Sequence, residues 1–291
     1  MVLTERGRPS QALIRSQAGH CAEEHLTLLP LSEELQWENA KLRALLLRRL
    51  RLPLDLDERR CRCGRTLDWL GDHRAACGTG GVLQTRAVPL ERMWARVGRE
   101  AGARVRTHAY LNDLNVLRVQ PTDGRRLEVV FSGLPANLGG QVAVDATLVS
   151  PLTRRGAARP RAHWQDGAAL KDARKKKATT YPELLETRRC TLVTAGMEVG
   201  GRWDEEAYEF LLDLAYAKAQ QAPAVLRGHA TRAWLRRWTA LLSKAGMDSF
   251  ASTLVHGTAR NTELWTSSTP YLGAVLCGIQ EAPQVSRLGP R

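Results

Sequence analysis

The spacing of apolar positions changes character several times along the 291 residues. Residues 1–36 carry few periodic apolar positions and are expected to be loosely ordered. Residues 37–50 (WENAKLRALLLRRL) set Leu42, Leu45, Leu46 and Leu50 on one side of a short helix, which Leu-Pro-Leu at 52–54 ends. Residues 61–80 read as a compact loop rich in glycine. A helix follows over 89–101, with Pro89 near its first turn and Gly102 just past its end.

Alternating or apolar runs then predict strands at 104–109 (RVRTHA), 126–131 (RLEVVF) and 142–149 (VAVDATLV). A basic loop at 151–166 leads to a helix over 167–187 with a break at Pro182, then a buried strand at 190–197. Asp204 is placed to cap a helix running to about 220, with Trp203 and Tyr208 at the staple positions. A last helix starts at Pro223 and runs to about 245, with Leu226, Ala230, Trp234, Trp238 and Leu242 as its apolar stripe. Arg227, Arg232, Arg236 and Arg237 lie mostly off that stripe. Residues 248–291 lose periodicity and receive no assignment.

From 89 to 197 the order is helix, three strands, helix, strand, an α/β arrangement in which a meander is followed by a helical crossover. The boundaries expected are an N-terminal segment at 1–55, a knuckle at 56–85, an α/β core at 86–203, C-terminal helices at 204–250 and an irregular tail at 251–291.

Charge adds the partner class. The formal net charge is +13, carried by 36 arginines and seven lysines. Such a balance favours a polyanion, because arginine and lysine release counterions from phosphates. Four of the seven lysines fall at Lys171, Lys175, Lys176 and Lys177, a clustering that an arginine-rich composition does not explain. No run of 18 apolar residues exists, and the N-terminus has no apolar signal core. The expectation is an intracellular protein, nuclear or otherwise and not secreted, with nucleic acid as partner and neither a membrane nor a small-molecule substrate. Its six cysteines are then thiols or ligands.

Two constellations carry chemistry. Cys61, Cys63, His73 and Cys77 offer three thiolates and one imidazole within 17 residues. Structural zinc takes four such ligands in a closed tetrahedron. A segment this short and polar buries no core, so zinc would supply its folding energy. Asp72 is a candidate outer partner of His73 or an alternative ligand. Cys21, Cys190 and Cys277 stand alone, with Cys190 read as a strand core residue.

The second constellation is acidic. Asp145 interrupts an apolar strand, and a buried carboxylate is expensive unless paired or metal-bound. If the second and third strands pair antiparallel, Glu128 and Asp145 share an end and a face. Two carboxylates beside lysines suit magnesium, which keeps waters for phosphate substrates. Lys177 lies one helical turn before Tyr181 and is the favoured lysine. Glu198, at the end of the last strand, either joins this site or pairs with an arginine.

These residues bring in a family. The run LRALLLRRLRLPLDL, then CRCGRTLDWLGDHRAAC, REAGARV, RRLEVV, VAVDATLVSPLTRRG, TYPEL and EVGGRW resembles the C-terminal region of a non-LTR retrotransposon reverse transcriptase polyprotein, over roughly residues 8–255. In that family a Cys-Cys-His-Cys knuckle precedes a restriction-endonuclease-like domain of the PD-(D/E)xK fold with an αβββαβ core. The resemblance implies that Arg126-Leu127-Glu128 stands at the first acidic motif, Asp145 at the second acid, and Lys177 with Tyr181 at the displaced lysine. Leu127-Glu128 replaces Pro-Asp, and Thr147 stands two after Asp145 where lysine is usual. No polymerase motif is present. The resemblance implies a metal-dependent endonuclease that nicks target DNA, with element RNA as a second partner, structural zinc and catalytic magnesium. The alternative is a catalytically inactive, zinc-dependent nucleic-acid-binding remnant.

Overall fold

The computed structural model describes residues 7–30, 32–54, 60–114, 116, 119–134, 140–186 and 189–255. Its centre is a four-stranded mixed sheet in the order β1 (Arg104–Tyr110), β2 (Arg126–Ser132), β3 (Gln141–Val149), β4 (Cys190–Glu198). The first two pairings are antiparallel and the third is parallel. The apolar and β-branched runs form β2, β3 and β4, which are mostly buried, whereas β1 is a largely exposed edge rich in arginine. The expected meander and crossover are therefore present, the crossover running through α5 (Ala168–Thr180) and the short α6 (Glu183–Glu186). Pro182 divides these two helices, because the residue before a proline is pushed out of the helical region.

One face of the sheet packs on α4 (Val82–Ala101), α7 (Glu205–Ala219) and α8 (Arg227–Val255), through Val129, Phe131, Val142, Val144, Val193 and Met197. Close approach is built in: a Cβ on Gly98 of α4 would lie 2.5 Å from the Phe131 ring. The opposite face carries a smaller cluster with Leu127, Val130, Ala143, Tyr181 and Cys190.

Several boundaries differ from expectation. The α4 helix begins at Val82, so Pro89 sits inside it and not in its first turn. An interior proline forfeits one backbone hydrogen bond. The extra two turns instead bury Arg86 and Ala87. In α2 (Asn39–Arg49) the buried positions are Lys41, Ala44, Leu45 and Arg48, whereas Leu46 and Leu50 are exposed. Lys41 binds Asp248 at 2.9 Å and Arg48 binds Asp72 at 3.0 Å, so paired charges take the face expected to be leucine.

The α8 helix continues ten residues beyond 245, to Val255, and loses its stripe because nearly every residue from Arg237 onward is buried. Arg237 faces inward and donates to Glu100 at 3.0–3.1 Å; it is no surface residue. Asp204 caps α7 by accepting from the Glu206 amide, as expected. Trp203 and Tyr208 face different rings, Trp94 and His20 respectively.

Among the described residues, 7–30 and 32–36 form helices and turns where the sequence predicts loose order. The carbonyls of Arg15 and Ser16, at the end of helix α1 (Arg8–Ser16), and of His20 just after it accept hydrogen bonds from the Arg202 side chain, the Arg202 amide and the Trp203 amide, respectively. Gly200 permits this: a Cβ there would lie 2.5 Å from the Ser16 carbonyl oxygen. Within α1 only Ala12, Leu13 and Ser16 turn inward, and Ala12 and Leu13 pack on Leu152, Ala162 and Ala168, a short pattern among polar neighbours. One apolar cluster joins residues from Leu35 to Leu254, including Leu54 and Ala75 of the region around the knuckle.

Candidate active site and metal centre

The knuckle is built by turns. Gly64 and Gly71 adopt positive φ, and the Cys61 amide bonds the Arg65 carbonyl at 2.8 Å. Asp68 caps the short α3 (Asp72–Ala76), its carboxylate accepting from the amides of Leu70, Asp72 and His73 at 2.7–3.0 Å. This folding brings the ligand atoms of Cys61, Cys63, His73 and Cys77 all within 4.8 Å of one another. Cys61 Sγ lies 3.8 Å from Cys77 Sγ, and Cys63 Sγ lies 3.2 Å from His73 Nε2. Tetrahedral zinc with bonds of about 2.3 Å to sulfur sets neighbouring sulfurs about 3.8 Å apart, so the donor set fits a metal ion.

The outer partners differ from expectation. His73 Nδ1 lies 2.8 Å from the Arg154 carbonyl, which leaves Nε2 for the metal. Asp72 neither ligates nor orients His73, because Arg48 and Arg51 hold its carboxylate at 3.0 and 2.9 Å. Burial raises the Cys77 thiol, but hydrogen bonds from Thr79 and the other cysteines outweigh it and bring it down to about 6. Cys190 is buried in β4, as expected for a core residue.

The acidic constellation also assembles. The β2–β3 ladder ends with Val129 paired to Val144, and beyond it the Glu128 side chain reaches the backbone of β3 beside Asp145. Asp145 is 1% exposed, and its Oδ1 lies 2.6 Å from Lys177 Nζ. Of the four clustered lysines, Lys171, Lys175 and Lys176 are exposed and Lys177 turns inward. Glu128 Oε2 accepts from the Ala146 amide at 2.5 Å. Tyr181 donates to the Arg126 carbonyl at 2.8 Å, tying α5 to the start of β2.

One acid escaped the sequence. Glu91 of α4 lines the same cleft as Glu128 and Lys177, a space of about 320 Å³ between α4, β3 and α5. Burial, and then the charge of Asp145, raises Glu91 to about 7 and Glu128 to about 9. Asp145 is raised by burial, against the pull of Lys177. Burial lowers Lys177, but Asp145 and Glu128 outweigh it, so the amine stays charged. Nothing around Glu91 marked it, since a single acid in an amphipathic helix usually faces solvent.

Glu198 does not join these groups. Asp145 pairs with Thr194, and Glu198 lies four residues further along β4, about 13 Å away. It is buried, raised to about 7 by burial, and faces Arg202 at 4.0 Å.

No protein-family model and no curated protein matches the chain. Among the described residues no helix is long and apolar enough to cross a membrane.

Proposed function

We propose that the chain is a metal-dependent DNA endonuclease with a restriction-endonuclease-like core, drawn from a retrotransposon-type polyprotein. The observation that carries this reading is the meeting of Glu91, Glu128, Asp145 and Lys177, from α4, β2, β3 and α5: Glu91, Glu128 and Lys177 line one acidic cleft, and Asp145 is buried against the Lys177 ammonium. Carboxylates that crowd in a buried place raise one another's proton affinity unless a cation joins them. Glu128 and Asp145 would hold magnesium, which would lower the pKa of a bound water and offset charge on the scissile phosphate.

Lys177 is held as an ammonium and acts by charge and orientation, not as a base. Glu91 has the proton affinity suited to accepting the proton of the attacking water. The water oxygen bonds phosphorus, the bridging phosphorus–oxygen bond breaks, and the leaving oxygen takes a proton from solvent. Lys176 and Arg159 line the cleft and supply charge for the flanking phosphates. Cys61, Cys63, His73 and Cys77 would hold structural zinc.

A supercoiled-plasmid assay tests the reading. Magnesium-dependent nicking by the wild type, lost in Asp145→Asn with DNA binding kept, supports it. Binding without cleavage in the wild type, with magnesium or manganese, replaces it with the inactive nucleic-acid-binding remnant.

A further inference from the structure

We propose that the groove between the knuckle and the loop after β3 is a second binding site, for the phosphates of a nucleic-acid strand, apart from the acidic cleft. The groove encloses about 500 Å³ and is lined by Arg65 on one side and by Arg154, Arg155 and Gly156 on the other. Its acids are already occupied. Asp68 caps α3 through three backbone amides, and Asp72 is paired with Arg48 and Arg51. Arg65, Arg154 and Arg155 are exposed, and among the described residues none of their side chains has an ion-pair partner.

The backbone that carries the three arginines is held in turns. The Thr153 amide bonds the Ala157 carbonyl at 2.8 Å, and the Gly156 amide bonds the Thr153 carbonyl at 2.9 Å. An antiparallel bridge between Leu152 and Ala158 closes this tip. Arg65 sits on the turn that starts at Cys61. The contact of His73 Nδ1 with the Arg154 carbonyl pins the tip to the metal centre. The fixed turns set where the three side chains start, and the guanidinium fork matches phosphate oxygens.

The two spaces flank one loop. Ser150 and Arg159, at its base, line the acidic cleft, whereas Arg154 and Arg155, at its tip, line the groove. A strand leaving the cleft along this loop meets the groove. The choice of nucleic acid as the polyanion rests on the nuclease reading, but the site itself requires no cleavage.

Fluorescence anisotropy on the full, metal-loaded chain tests the site. Labelled single-stranded DNA, duplex DNA and RNA are titrated without magnesium at several salt concentrations, for the wild type and a triple Arg65→Ala, Arg154→Ala, Arg155→Ala variant. The variant leaves the Arg154 carbonyl in place. Loss of three phosphate contacts should lower the slope of log affinity against log salt by about 2–3, with affinity falling on the order of tenfold or more on at least one probe. A control variant, Arg8→Ala, Arg99→Ala, Arg227→Ala, removes the same charge from exposed positions elsewhere and should lose clearly less. An unchanged slope on all three probes overturns the site, as does an equal loss in the control. Nicking is scored separately: a groove that binds in a chain that never nicks removes the nuclease reading alone, and nicking with unchanged binding removes the groove alone.

Discussion

Asp145 shows how much one residue can disclose. An acid inside VAVDATLV has to be explained, and the explanation lies in the Lys177 ammonium 2.6 Å away and Glu128 on the next strand. Glu128 and Glu91 sit above the ordinary carboxyl value, at about 9 and about 7. The folded state thus holds protons that the unfolded chain releases. The stability they contribute is complete below pH 4.5 and is lost as pH rises through about 7 and about 9. Glu128→Gln should therefore stabilise the magnesium-free protein in mild alkali by on the order of 1–3 kcal/mol, read by urea denaturation. Magnesium should stabilise the wild type and not the variant. Unchanged stability in Glu128→Gln would contradict this account of the cluster. In Glu91→Gln the rate should fall by on the order of a hundredfold, with the acid limb of the pH–rate profile displaced. A profile of unchanged shape would remove Glu91 as the proton acceptor. His25 works in the opposite direction. Burial, and then Arg49, lowers it to about 4, so its contribution is present above its ordinary 6.5 and is lost as pH falls toward 4.

Elements were legible where the pattern was local. The meander, the crossover strand and the Asp204 cap follow from alternation and capping chemistry, and the four ligands of the knuckle from spacing alone. Positions decided by distant partners were not legible. Lys41 and Arg48 take the inward face of α2 because Asp248 and Asp72 wait there. The first turns of α4 form despite Pro89, and the end of α1 is held by the contacts of its Arg15 and Ser16 carbonyls with Arg202. Glu91 was missed for the same reason, since only the approach of α4 to the sheet makes it part of a site. That approach has a direct test in Gly98. Replacement by alanine drives a methyl group into the Phe131 ring and should cost on the order of 1–3 kcal/mol by denaturation, with the sheet end nearest α4 losing exchange protection first. A neutral result would mean that α4 and β2 separate easily and that the cleft is not rigid.

Across the whole molecule, the four-ligand cluster and the acidic cleft share their walls. Ala75 and Ala76 of α3 wall the cleft, and the Arg86 side chain donates to the Ala75 carbonyl at 2.9 Å. Arg74 reaches the last carbonyls of α8, and Arg48 and Arg86 flank the Phe250 ring at 5.4 and 5.3 Å. Zinc, on this account, stabilises more than a detached module. Cys77→Ser should lose bound zinc by elemental analysis and lower hydrogen-exchange protection in α3 and at the end of α8, while β3 and β4 keep theirs. Full zinc content in that variant would set the ligand assignment aside.

Nicking of supercoiled plasmid by wild type and Asp145→Asn, at equal DNA occupancy, decides whether Asp145 and its neighbours cut nucleic acid. Open-circular product is expected from the wild type only with magnesium or manganese, with a loss on the order of a thousandfold or more in the variant. Equal nicking by the two proteins would contradict that expectation.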